Sequence, residues 1–197
     1  MDKDYIKIFE ETKALMYGHF VLSSGLQSDT YFQCAKVLQY PKYLSMFGEI
    51  LAEKFSSFEI DKVISPAIGG IVLGTEVGRR LNKKTIFSER VDGSMKLRRG
   101  FNIMKDEKIL IIEDVLSTGG SIKEVIKLIE KLGGNLVGVG VIVDRSLEPV
   151  FIHNNFFSIT NQKAKIFDKN NIPDNLKDTP AIKPGSNIVV SDAIELD

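Results

Sequence analysis

From Asp61 onward, short runs of aliphatic and β-branched residues alternate with longer segments of helical period, and that alternation limits the folds open to this chain. Val63-Ile64 reads as a short buried strand, followed by Ser65-Pro66-Ala67-Ile68-Gly69-Gly70 and a helix to about Leu81. Residues 84–89 give a second strand and residues 108–112 a third. Ser121 starts a helix with the apolar face Ile122, Val125, Ile126, Ile129 and Leu132, stopped by Gly133-Gly134. Residues 136–143 form a fourth strand, nearly continuous in apolar residues, as expected where both faces are covered. Strands separated by helices predict an α/β fold, a doubly wound, mainly parallel sheet flanked by helices. Ligands on such sheets bind at the carboxyl ends of the strands.

The flanks are less regular. Tyr5, Ile8, Phe9, Thr12, Leu15 and Met16 fall at helical spacing, and Gly18 is expected to close that helix. A polar stretch, Ser23 to Thr30, leads into a mixed run from Tyr31 to Leu38. Pro41 opens a second helix with the apolar face Tyr43, Leu44, Phe47, Ile50, Leu51 and Phe55. Residues 151–160 are expected to hold one or two strands, and Pro173, Pro180 and Pro184 punctuate the end. The 197 residues fit one domain, 1–197, with a core over about 60–145 and terminal segments forming a small lobe.

Composition excludes several partner classes. With 26 basic and 26 acidic side chains, the chain lacks the surplus that nucleic acid or an anionic membrane selects. One cysteine, Cys34, rules out an intrachain disulfide, and His19 and His153 make no zinc cluster. No apolar run approaches the ~20 residues that span a bilayer. The acidic N-terminus has no apolar core of a signal peptide, so a cytoplasmic protein is expected.

Chemistry concentrates at Ile109-Leu110-Ile111-Ile112-Glu113-Asp114-Val115-Leu116-Ser117-Thr118-Gly119-Gly120-Ser121. A buried strand delivers two adjacent carboxylates to its carboxyl end, and a turn of small and hydroxylated residues then opens a helix. The N–H groups of Ser117 to Ser121 can form a concave nest at the positive end of the helix dipole, suited to a phosphate monoester. Carboxylates beside an anion site make sense if the ligand also presents a diol or a magnesium ion. A ribose 5-phosphate does so, with phosphate in the nest and ribose hydroxyls on Glu113 and Asp114. An ordinary strand-to-helix turn is the bland alternative for a bare TGGS tetrapeptide; the apolar strand and Glu-Asp pair in front argue against it. There is no GxxxxGK[ST] loop, and no GxGxxG fingerprint is completed.

This segment resembles the phosphoribosyl-pyrophosphate (PRPP) motif of type I phosphoribosyltransferases. Residues 17–145 are similar to the orotate phosphoribosyltransferases of that superfamily. Ser24-Gly25 through Tyr31-Phe32 resembles the base-site segment, Ser65 to Gly70 the pyrophosphate loop, and Val143-Asp144-Arg145 the strand end bearing an orotate-binding arginine. The resemblance implies transfer of the phosphoribosyl group from PRPP to orotate, giving orotidine 5′-monophosphate and pyrophosphate, in pyrimidine synthesis. It implies Mg²⁺ held through PRPP rather than by direct side-chain ligation, and a homodimer. An oxocarbenium-like transfer needs alignment and charge stabilisation, not a protein nucleophile.

Carried over residue by residue, Glu113 and Asp114 would hold the ribose hydroxyls and Val115, Leu116, Ser117, Thr118, Gly119, Gly120 and Ser121 the 5′-phosphate. Orotate would meet Ser117, Phe32 and Arg145, whose fork of donors matches a carboxylate. Residues 89–101 join two strands and hold Arg90, Lys96, Arg98 and Arg99. In the family such a loop closes over the active site, often the partner's, so Arg90 and Lys96 are expected to reach pyrophosphate and take part in catalysis with Asp114. The chain departs from some relatives in having Ser23 in place of a lysine, Ile68-Gly69 in place of Tyr-Lys, and Phe32-Gln33 in place of paired aromatics. Cys34, His19 and His153 read as structural. A purine or xanthine phosphoribosyltransferase is one alternative, which Arg145 argues against; a non-catalytic PRPP-binding regulator is another, which the missing basic appendage argues against.

Overall fold

A computed structural model describes residues 5–22 and 25–184. The chain opens with helix α1 (Tyr5–Glu11), strands β1 (Leu15–Val21) and β2 (Gln27–Phe32), a single turn α2 (Ala35–Leu38) and helix α3 (Pro41–Phe55). The α/β part follows as β3 (Lys62–Pro66), α4 (Gly69–Leu81), β4 (Lys84–Val91), β5 (Ser94–Leu97), β6 (Lys108–Leu116), α5 (Gly120–Lys131) and β7 (Asn135–Asp144). Strands β8 (Phe156–Asn161) and β9 (Ile166–Phe167) and a 3₁₀ turn, Asp174–Leu176, complete it.

The main sheet has the order β5-β4-β3-β6-β7-β8, parallel throughout except for the antiparallel β4–β5 pair. The doubly wound, mainly parallel sheet expected from the sequence is therefore present. Its centre alternates with period two, as a strand covered on both faces must. Leu110 and Ile112 pack with Phe47, Leu51, Leu73 and Val77 of α3 and α4. Ile109 and Ile111 pack instead with Ile122, Val125 and Ile129 of α5.

Terminal segments form the small lobe. Strands β1, β2 and β9 make an antiparallel sheet, and Phe20 bridges to Ile182 in parallel. Buried His19 ties the lobe together, its ring nitrogens lying 2.9 Å from Thr179 O and 2.6 Å from Gln27 Oε1. Cys34 is buried, and that burial pushes its thiol up, as suits the structural role expected of it. Among the described residues no helix is long and apolar enough to cross a membrane.

Two elements differ from expectation. The first helix ends at Glu11, and Leu15 and Met16 lie on β1. The Thr12 hydroxyl donates to Ile8 O, Lys13 takes φ +53°, and Ala14 N–H donates to Phe9 O, which closes the helix before Gly18. Leu15 still reaches the core, from a strand. The second difference is the basic segment after β4, which is an antiparallel ribbon rather than a loop. Asp92 and Gly93, at φ +51° and +77°, form the tight turn, and Met95 anchors β5 in the core. The Asp-Gly pair was the available signal.

Candidate active site

The carboxyl ends of β3, β6 and β7 meet the lobe around a cavity of about 350 Å³. Tyr31, Gly69, Asp114, Ser117, Thr118 and Arg145 line it, with Phe32, Lys183 and Pro184. A second recess of about 160 Å³ lies beside it, walled by Glu113, Val115, Leu116, Ser117, Thr118, Gly119, Gly120 and Ser121. All of the expected 113–121 residues therefore converge, while Leu116, 1% exposed, gives its side chain to the core and leaves only backbone for a ligand. Gly119 caps α5 at φ +77°, and a side chain there would press on Ile152 at 2.7 Å. This turn keeps the first N–H groups of α5 open at the positive end of its dipole.

Glu113 and Asp114 continue β6 past the point expected from the sequence, and as neighbours on a strand they divide between the two recesses. Burial pushes the Glu113 carboxyl well above the usual carboxylate range, and the charge of Asp114 pushes it further. Burial raises Asp114 as well, opposed by hydrogen bonds it accepts from Glu113 and from Val115 N–H at 2.9 Å. Such a pair is poorly solvated and short of donors. Its oxygens could accept further hydrogen bonds from the hydroxyl groups of a diol.

The N-terminus of α4 closes on these carboxylates. A Cβ at Gly69 would fall 2.5 Å from Asp114 Oδ2, and one at Gly70 would fall 2.9 Å from Glu113 Oε1. With glycine at position 69, the α4 terminus lies directly against the Asp114 carboxylate, and a larger residue there would require that side chain to shift.

Arg145 leaves the end of β7 and is only 2% exposed. Its Nη2 donates to Ser28 Oγ at 3.0 Å and to Thr30 O at 3.3 Å, joining lobe to main sheet. Its Nε has no partner among the described residues. Burial pulls its pKa down, and the nearby Tyr31 and Asp29 push it up. A buried guanidinium on a cavity wall has the charge and donor geometry that suit a carboxylate.

Phe32 lines the cavity but is 5% exposed and packs edge-on against Phe9 at 5.6 Å, so its ring belongs chiefly to the core. Tyr31 faces the site instead. Burial raises its phenol, and so does the charge of Asp114. The sequence reading missed Tyr31 because the register of β2 was hidden in a mixed run; Ser28, Thr30 and Phe32 take the buried positions and Tyr31 the alternate one. Ser23 and Ser24 lie outside the described residues.

Arg90 and Lys96 do not line either recess. Arg90 pairs with Glu124 of α5 at 2.9 Å, Lys96 with Asp92 at 3.3 Å, and Arg99 with Glu89 at 2.9 Å. These pairs are solvent-exposed and cheap to exchange for another anion. An open groove of about 890 Å³ between the ribbon and α5 shares no lining residue with the cavity.

A phosphate nest, a carboxylate pair and a fixed guanidinium around one cavity suit a phosphorylated sugar and an anionic acceptor. The model of the phosphoribosyl transferase domain matches residues 35–176, and the chain belongs to that family. It is 50% identical over 187 residues to the orotate phosphoribosyltransferase of Caldanaerobacter subterraneus subsp. tengcongensis, covering 94% of this chain and 98% of that protein. It is 51% identical over 181 residues to that of Chlorobium phaeobacteroides (strain BS1), covering 92% and 94%. The chain is thus a member of the orotate phosphoribosyltransferases. The fold is shared with the crystal structure of orotate phosphoribosyltransferase from Aeropyrum pernix, at TM-score 0.65 and 22% identity over 79% of this chain and 92% of that one.

Proposed function

We propose that this chain transfers the 5-phosphoribosyl group of PRPP to orotate, forming orotidine 5′-monophosphate and releasing pyrophosphate. The observation that carries the choice of base is Arg145: a buried guanidinium on the cavity wall, held in place by Ser28 and Thr30. A purine offers no carboxylate to satisfy it.

In this reading the 5′-phosphate sits in the nest of residues 115–121 against the α5 N-terminus. Glu113 and Asp114 accept hydrogen bonds from the ribose diol, which offsets the cost of their burial. Arg145 holds the orotate carboxylate, Ser117 donates to the base, and Tyr31 covers its ring at the site first expected for Phe32. Fixing both reactants aligns the base nitrogen with the ribose carbon, which converts a bimolecular encounter into an oriented displacement.

The donor set fits magnesium carried in with the diphosphate. Among the described residues no cluster of three or more His, Cys, Asp or Glu could hold a metal. Magnesium commonly keeps several waters and binds substrate phosphates, so here it would enter on the diphosphate rather than on a side chain, in a cavity whose wall includes the Asp114 carboxylate. When bound, Mg²⁺ supplies positive charge to the departing pyrophosphate.

The β4–β5 ribbon carries Arg90 and Lys96 outside their own chain's cavity. This supports a homodimer in which each ribbon serves the partner's site and excludes water as it closes. A cytoplasmic setting goes with this reading, since the lone buried thiol needs no oxidising compartment.

Ultraviolet absorbance of orotate, with adenine, guanine, xanthine and uracil run in parallel, tests the proposal. Loss of orotate alone, dependent on both PRPP and Mg²⁺, is the expected result. Consumption of a purine would overturn the role of Arg145, and PRPP binding without turnover of any base would identify a regulator.

A further inference from the structure

The end of the lobe brings a charged side chain to the cavity from far along the sequence. Ile182 N–H donates to His19 O and Val21 N–H donates to Ile182 O, both at 2.8 Å, so the segment runs beside β1 as an added edge. The next residue, Lys183, lines the cavity shared by Tyr31, Asp114 and Arg145. Lys183 is exposed and forms no ion pair among the described residues. Among the residues lining that cavity, Arg145 and Lys183 are the cations.

The charge balance of the cavity makes Lys183 informative. Arg145 spends Nη2 on Ser28 and Thr30. Asp114 and the nearby Glu113 are acidic, and the α4 terminus brings Gly69 rather than a cation to the cavity. An anionic base entering this cavity therefore meets one partly committed guanidinium unless a second cation joins it. The lobe places Lys183 at the base end. Its segment is bonded to β1, which pairs with β2, the strand that carries Ser28, Thr30 and Tyr31. Lys183 does not line the phosphate recess.

We propose that Lys183 is a second cationic ligand for the base, acting with Arg145 and delivered by the C-terminal segment. This rests on the reading of the cavity as an orotate site. A compact ammonium with three donors can follow carbonyl and carboxylate oxygens that a planar fork does not match.

Steady-state kinetics of full-length Lys183→Ala, Lys183→Met and Lys183→Arg test the proposal. Lys183→Ala is expected to raise the KM for orotate about tenfold to a hundredfold, the scale of one hydrogen bond to a charged group, and that for PRPP less than about twofold. Lys183→Met keeps the apolar stem and should behave as Ala does, while Lys183→Arg, which restores the charge but not the compact ammonium, should recover only part of the loss. Melting temperatures equal to that of the parent would set a folding defect aside, and Met would supply the reading if Ala proved unstable. A rise confined to the KM for PRPP, or no change in either, would overturn the assignment of Lys183. Failure of the parent protein to consume orotate would instead overturn the functional reading on which it rests.

Discussion

One continuous stretch, residues 113–122, supplies every wall of the phosphate recess, whereas the base cavity adds Tyr31, Arg145 and Lys183 from three distant segments to Asp114, Ser117 and Thr118. The first is a strand, a turn and a helix start, and its geometry follows from local rules: a glycine at φ +77°, open helix N–H groups, and carboxylates at a strand end. The second exists only once the lobe has docked, because Arg145 is held by Ser28 and Thr30 of β2. The family match begins at residue 35, after β1 and β2, so it takes in residues 113–121 and Arg145 but leaves out Ser28, Thr30, Tyr31 and Lys183, which the lobe supplies. Specificity can then change without disturbing the phosphate site.

Substitutions should separate the two ends. The largest effect is expected from Arg145→Ala, which removes hydrogen bonds to a carboxylate worth roughly 1.5–3 kcal/mol each. The KM for orotate should rise about a hundredfold or more, with that for PRPP moving less than about threefold. Equal changes in both would show that the two ends are not independent. Asp114→Asn should act in the opposite sense, lowering kcat/KM for PRPP roughly ten- to a hundredfold through the loss of one charge-assisted contact to the diol. Unchanged turnover would remove the ribose-binding role.

A third test addresses the ribbon. If Arg90 and Lys96 serve the neighbouring chain, mixing an Arg90→Ala/Lys96→Ala variant with Asp114→Asn should restore part of the activity that each lacks alone. No recovery after confirmed subunit exchange would return the ribbon to its own chain.

The smallest effect concerns stability. The folded protein holds the Glu113 proton more tightly than the unfolded chain does. Its contribution is therefore fully present below the ordinary value of about 4.3 and is lost as pH rises through the raised value. Asp114 acts in the same direction, whereas Glu76, lowered chiefly by its hydrogen bond from Arg79, acts in the other. Glu113→Gln should remove the Glu113 component, raising the melting temperature of the ligand-free protein near neutral pH by about 2–4 °C, the shift that 1 kcal/mol produces in a chain of this size. The gain should shrink towards pH 5. A gain that persists or grows there would show that Glu113 is not buried as a charge.

What the sequence reveals follows the same division. Residues 113–121 are legible because the whole site is contiguous, and Arg145 because it ends a strongly apolar strand. Tyr31 is not, since alternation on β2 is obscured by polar residues on both faces, Ser28 and Thr30 among them. Lys183 could not be found from spacing at all: only the parallel bridge between Phe20 and Ile182 brings it to the cavity. Leu15 and Met16 show another limit, since helical spacing over a few residues does not reveal that Thr12 and Lys13 end the helix. The β4–β5 ribbon differs from the basic loop expected over 89–101, and Asp92-Gly93 is the local turn signal that marks it.

The most direct test of base recognition is a competition in one vessel. The full-length protein is given PRPP, Mg²⁺ and equal amounts of orotate, uracil, adenine, guanine and xanthine, and the nucleotides formed are separated and identified. Orotidine 5′-monophosphate as the sole product, with pyrophosphate in equal amount, is the result expected of a cavity built around Arg145. Formation of a purine nucleotide, or of uridine 5′-monophosphate directly from uracil, would contradict it.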